Sequence, residues 1–127
     1  MGYESRFYVV EKSLVSDPDD GRWAEVVAEY NLAKCYEVSD KLRNYPITDC
    51  YIYATDGNTR IKEDCYGEPL REIPLTDLIQ IVTDAMNEDS DLKSGKLPYR
   101  RFQPLLSLLT GFNTKQWGEL VVLHYGY

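Results

Sequence analysis

The hydrophobic pattern begins with RFYVVEKS from Arg6, an aromatic and β-branched run that stops at SDPDDGR. Residues 17 to 21 there supply Asp, Pro and Gly, so a strand runs into a loop. The next stretch, WAEVVAEYNLAKC, carries two overlapping periods. Ala24, Val26, Ala28, Tyr30 and Leu32 alternate with Glu25, Glu29 and Asn31, while Val26, Val27, Tyr30 and Ala33 also fit one face of a helix. The alternation, following directly on a turn-rich loop, predicts a second strand that returns antiparallel to the first.

VSDKLRNYP predicts a short helical turn capped by Ser39 and ended by Pro46. TDCYIYATDGNTRIKEDCYG predicts a β-hairpin with two possible registers. A Gly57-Asn58 loop sets Cys50 opposite Cys65; an Asp56-Gly57 turn sets Cys50 opposite Glu63, with Cys65 on the diagonal. Both place the two thiols on one side with Ile52, Ala54 and Ile61, because the registers differ by two residues. Tyr51 and Tyr53 then point to the other side, towards Lys62 and Arg60.

GEPLREIPLTD reads as a Pro-punctuated connector, after which Thr76 caps a helix with Leu78, Ile79, Val82, Ala85 and Met86 on one face. Past the polar loop NEDSDLKSGK, YRRFQPLLSLLTGF predicts a second helix stopped by Gly111, with Pro104 near its first turn or kinking it. WGELVVLHYGY predicts a closing strand inside the sheet. Strands, two helices and a last strand make an α+β pattern: an antiparallel sheet of about five strands with two main helices packed on one face, in a single domain over 1–127. No glycine-rich phosphate loop follows a strand, which argues against a nucleotide-binding α/β fold.

Composition narrows the function. The chain has 43% hydrophobic and 28% charged residues, the balance of a globular protein, and a net charge of −7. That charge disfavours direct nucleic-acid binding, which relies on clustered Lys and Arg, and favours a basic protein partner. Neither a secretion signal nor a long apolar run is present, so no membrane role is expected, and three cysteines without an export signal point to the cytosol.

Cys35, Cys50, Cys65 and His124 are the candidate metal ligands, a Cys3His set that zinc would accept in a tetrahedron. The thiols recur every 15 residues instead of in close pairs, a spacing that favours buried, inert cysteines over zinc, and a reducing compartment sets a disulfide below both. A cysteine paired with His124, the single imidazole, is the one arrangement for nucleophilic catalysis, and no carboxylate pair stands out by spacing. DPDDG and NEDSD each match only part of a calcium loop. Eleven tyrosines leave a recognition surface as the main alternative to chemistry, with Tyr51, Tyr53, Glu63 and Asp64 as its candidate residues. A helix lying over the tyrosines is the competing reading.

MGYESRFYVVEKS, TDCYIYATDGNTRIKEDCYGEPL and WGELVVLHYGY resemble segments of small uncharacterised proteins of phages and prophages of Gram-positive bacteria. As a compact acidic chain without a catalytic motif, it is similar in kind to the anti-CRISPR inhibitors. That resemblance implies a non-enzymatic phage accessory protein in the bacterial host cytosol, binding and inhibiting a host defence protein such as a type II CRISPR nuclease. It transfers no site residue. A small structural zinc protein or a DNA-mimic antirestriction factor is the alternative, and an enzyme using a Cys-His pair the third.

Overall fold

One residue, Val27, organises the first hairpin. Strand β1 (Ser5–Asp17) and strand β2 (Gly21–Asn31) pair antiparallel, with Val9 opposite Ala28 and Val10 opposite Val26, so Val27 is an extra residue on β2. The bulge explains the double period in the sequence. Before it, Ala24 packs into one core with Val10; after it, Ala28 and Tyr30 pack into another with Phe7 and Val9.

The computed structural model describes residues 5–17, 21–32, 38, 41–53, 57–63, 67–88, 102–112 and 120–126. Beyond the first hairpin these residues form β3 (Cys50–Tyr53), β4 (Arg60–Ile61), β5 (Arg71–Pro74), α1 (Leu75–Glu88), α2 (Phe102–Thr110) and β6 (Leu120–Gly126). The sheet has six strands in the order β4-β3-β2-β1-β6-β5, and every neighbouring pair is antiparallel except β2 and β3. The chain is therefore α+β, with two differences from the expected layout: one further strand and one parallel pairing. The further strand, β5, lies in the stretch read as a connector, where Pro69 and Pro74 flank charged Arg71 and Glu72.

Residues 46–48 lie along the outer side of β5. Ile47 bridges Arg71, Thr48 N–H donates to the Leu70 carbonyl at 2.9 Å, and Glu72 N–H donates to the Pro46 carbonyl at 2.9 Å. Leu70 N–H donates to the Lys62 carbonyl at 3.3 Å. The segments flanking β3 and β4 thus meet β5, and the sheet curls round one of its own faces as a partly closed barrel.

Two cores result, one on each face. The outer core joins Phe7, Val9, Ile73 and Val122 to Leu78, Val82 and Ala85 of α1 and to Phe102, Leu105 and Leu109 of α2, so both helices cover one face. The inner core, enclosed by the curl, holds Tyr8, Val10, Ala24, Cys50, Ile52, Leu70, Val121 and Leu123. Helix α1 starts at Leu75, which puts Thr76 inside the first turn instead of at the cap. Pro104 is the third residue of α2, where its missing N–H costs no helical bond and no kink is required. Val38, Lys41 and Leu42 are helical, in the stretch expected to form a short turn, while its expected cap Ser39 lies outside the described residues. Asp17 ends β1, Gly21 begins β2, and Asn87 and Glu88 are the last residues of α1; the rest of the two calcium-like loops lies outside the described residues.

Candidate functional site

At one end of the inner core the strands bring charge together. Tyr8, Val10 and Lys12 share a face of β1 by alternation, so Lys12 points into the curled side of the sheet. Its side chain is only 7% exposed, and its ammonium lies 2.7 Å from Glu72 Oε1 of β5 and 3.4 Å from Asp49 Oδ1. Thr48 Oγ1 donates to Glu72 Oε1 at 3.1 Å and accepts the Cys50 N–H at 3.0 Å, while the Cys50 thiol donates to Asp49 Oδ1 at 3.4 Å.

The electrostatics of this group follow from its pairing. Burial alone would lower the Lys12 pKa, but the Glu72 hydrogen bond and the surrounding negative charge outweigh it and leave it raised. Burial works against the charge on Asp49 too, yet the Cys50 thiol, Lys12 and Arg22 hold its carboxyl below the usual range. Burial pushes the Cys50 thiol up to about 11, so it is a protonated donor at neutral pH and a poor nucleophile. Asp49, Cys50 and Glu72 place donor atoms within 4.8 Å of one another, a spacing that could hold a cation. The Lys12 ammonium already contacts both carboxylates, so a metal ion would have to displace it.

Of the expected zinc ligands, the two that lie among the described residues, Cys50 and His124, are not brought together. His124 is opposite Phe7 on β6, its ring 5.1 Å from the Phe7 ring, which belongs to the outer core. Cys50 belongs to the inner core, on the other face of the sheet. Cys50 and His124 therefore form neither a shared metal site nor a nucleophile–base pair; strand alternation sends the two side chains to opposite sides. Cys35 and Cys65 lie outside the described residues. The hairpin register pairs Ile52 with Ile61 and Tyr53 with Arg60, which sets Cys50 opposite Glu63, as for the Asp56-Gly57 turn. Gly57, at a φ of 76°, supplies the left-handed conformation that such a turn requires.

The expected tyrosine surface divides into a buried base and an exposed tip. Tyr51 is buried, with the Arg60 guanidinium 4.8 Å above its ring and the Lys62 ammonium 5.9 Å away. Tyr53 meets Tyr51 edge-on at 5.6 Å and is 38% exposed; Trp23, opposite Tyr51 on β2, lies 6.5 Å from Tyr53 and is 37% exposed. Glu63 is exposed and bridges Pro69, but its register opposite Cys50 sets it on the other face of the hairpin from Tyr51 and Tyr53; Asp64 lies outside the described residues. Trp23 escaped the sequence reading, although a tryptophan in a strand with charged and small neighbours is a signal for such a surface. Lys12 and Glu72 escaped it as well; a lysine at an inward register position was the available clue.

Next to the tyrosines, a cleft of about 360 Å³ opens between β2 and the β3–β4 hairpin, lined by Arg6, Tyr8, Val26, Glu29, Ile52, Tyr53 and Ile61. Among the described residues no helix is long and apolar enough to cross a membrane. Comparison with protein-family models, with curated proteins and with solved structures finds no match to this chain.

Proposed function

We propose that this chain is a non-enzymatic binding protein that inhibits a host defence protein, with a type II CRISPR nuclease as the partner its acidity and its sequence resemblance favour. The observation that carries a binding role is the aromatic face of Trp23 and Tyr53, braced from below by Tyr51 and Arg60. Rigid, half-exposed aromatic side chains give large contact area at small entropic cost and are the usual anchors of interfaces. The net charge of −7 adds long-range attraction to a basic partner. The polar group around Lys12 fits this reading, since its charges are paired with one another and its thiol stays protonated.

The test is DNA cleavage by a guide-loaded type II nuclease, with and without the purified chain, together with direct binding at low and high salt. Inhibition that weakens with salt and falls at least tenfold for Trp23→Ala/Tyr53→Ala supports the proposal. An unaffected nuclease that does not bind the chain removes the nuclease as partner, and a double variant that inhibits as well as wild type removes the aromatic face as the contact.

A further inference from the structure

Trp23, Glu25 and Glu11 share one face of the first hairpin. Ala24, between Trp23 and Glu25, packs into the inner core, and Glu11 pairs with Glu25, so alternation turns all three to the outer side. They lie beyond the cluster that the two helices cover. Tyr51 and Tyr53 point to the same side, since Cys50 and Ile52 take the inner one. Across the sheet this face therefore reads Arg60 on β4, Tyr53 and Tyr51 on β3, Trp23 and Glu25 on β2, and Glu11 on β1. Cations stand at one end of the row and two carboxylates at the other, with aromatic rings between them. Glu25 is exposed and Glu11 half-buried.

We propose that the acidic end of this row takes an arginine side chain projecting from the partner protein, its guanidinium stacked on Trp23 and its N–H groups donating to the Glu25 carboxylate, with Glu11 adding negative charge from the neighbouring strand. The inference rests on the binding role proposed above and names the chemistry of its contact. Three observations select a guanidinium. Trp23 is half-exposed, and an indole is the best side-chain acceptor of a stacked cation. On the same face Tyr51 already carries the Arg60 guanidinium at 4.8 Å, so the row takes this group in this geometry within the chain itself. Glu25 follows Trp23 by two residues, ~7 Å along the strand, so one planar fork that lies on the ring also reaches the carboxylate. Charge points the same way: carboxylates opposite each other on a ladder repel, and a cation beside Glu11 and Glu25 relieves that repulsion. Arg60 and Lys62 are engaged with Tyr51 at the β4 end, two strands from Glu25, and do not fill this role. A lysine ammonium carries the charge but has no plane to stack, which makes arginine the preferred occupant.

The experiment is NMR titration of the full chain at low salt with a capped tripeptide carrying arginine between two glycines, and with its lysine counterpart. The Trp23 indole signal is assigned by its loss in Trp23→Phe. The arginine peptide should shift that indole and the Glu25 amide saturably and bind about threefold tighter than the lysine peptide. Glu25→Gln should weaken the arginine peptide by about threefold, the scale of an exposed ion pair, while the thermal midpoint stays at or above that of wild type. The proposal is overturned by shifts that map elsewhere, by an equal response to lysine, by indifference to Glu25→Gln, or by a midpoint that falls in that variant, which would make the carboxylate structural. Concentration-dependent shifts of the same signals without peptide would assign the face to a second copy of the chain and also overturn it. Arginine binding at Trp23 without any effect on the nuclease would overturn the nuclease assignment alone; nuclease inhibition that is undiminished in Glu11→Gln/Glu25→Gln would overturn the arginine contact alone.

Discussion

Removing Lys12 should destabilise this protein strongly, because its enclosed ammonium joins β1 to β5 and to Asp49, the residue before β3. Lys12→Met deletes the partner of a Glu72 carboxylate that is 21% exposed and, among the described residues, leaves it the Thr48 hydroxyl at 3.1 Å. Breaking one side of a buried pair costs ~3–5 kcal/mol, and the residual solvent access of Glu72 sets the expectation at the lower end, about 3 kcal/mol. Glu72→Gln keeps the shape and leaves the ammonium with Asp49 at 3.4 Å, a side chain 64% exposed. Loss of one charged hydrogen bond there should cost about 2 kcal/mol. The double variant removes both charges together, so its cost should fall short of the sum by about 2 kcal/mol, the coupling expected of groups in direct contact.

Urea unfolding at neutral pH, followed by circular dichroism, reads all three variants on one scale provided that the slope stays constant. The Lys12→Met midpoint in a thermal scan should fall by about 10 °C for a domain of this size. Single costs below about 1 kcal/mol that add in the double variant would show that the ammonium is solvated and that the pair does not lock the curl.

Alkaline stability should fall in two stages. The Cys50 thiol titrates at about 11 in the folded chain against 9.0 in the unfolded one, so its contribution is complete below pH 9 and is lost as pH rises to 11, at about 1.4 kcal/mol per pH unit. Lys12, raised above 10.5, follows, and Cys50→Ala should erase the first stage in urea titrations across this range. At neutral pH, peptide mapping after a short pulse of iodoacetamide should find Cys50 unmodified in the folded protein and modified in urea. Deleting Val27 should be tolerated at about 1 kcal/mol of lost packing, because Val26 and Ala28 then follow one another opposite Val10 and Val9 and every other β2 side chain keeps its face; a melting point more than about 10 °C below wild type would refute the bulge.

Local pattern was legible where side chains answer to one neighbour. The apolar stripe of Leu78, Val82 and Ala85 announced α1, and the alternation around Ile52 announced the hairpin. β5 was hidden because only Ile73 in Arg71–Pro74 is fully buried, so four residues carry no readable period. The parallel contact of β2 with β3 joins residues nearly thirty positions apart and has no local signature. The same holds for Lys12 and Glu72, which meet only because β1 and β5 face each other across the curl. His124 misled for a simpler reason: being the one imidazole gave it a chemical weight that its place against Phe7 does not support.

The pairing of β1 with β6 sets a direction on how this chain can assemble. β1 is flanked by β2 and β6, and its register with β6 runs from Ser5 with Gly126 to Glu11 with Leu120. Phe7 and Val9 cannot complete their core, nor Tyr8 and Val10 theirs, until Leu120–Gly126 has been synthesised. During translation the first hairpin must wait with both faces exposed while more than eighty further residues are added. Loop closure over such a separation is slow, and chaperone capture of the nascent chain should therefore peak before β6 emerges and vanish soon afterwards.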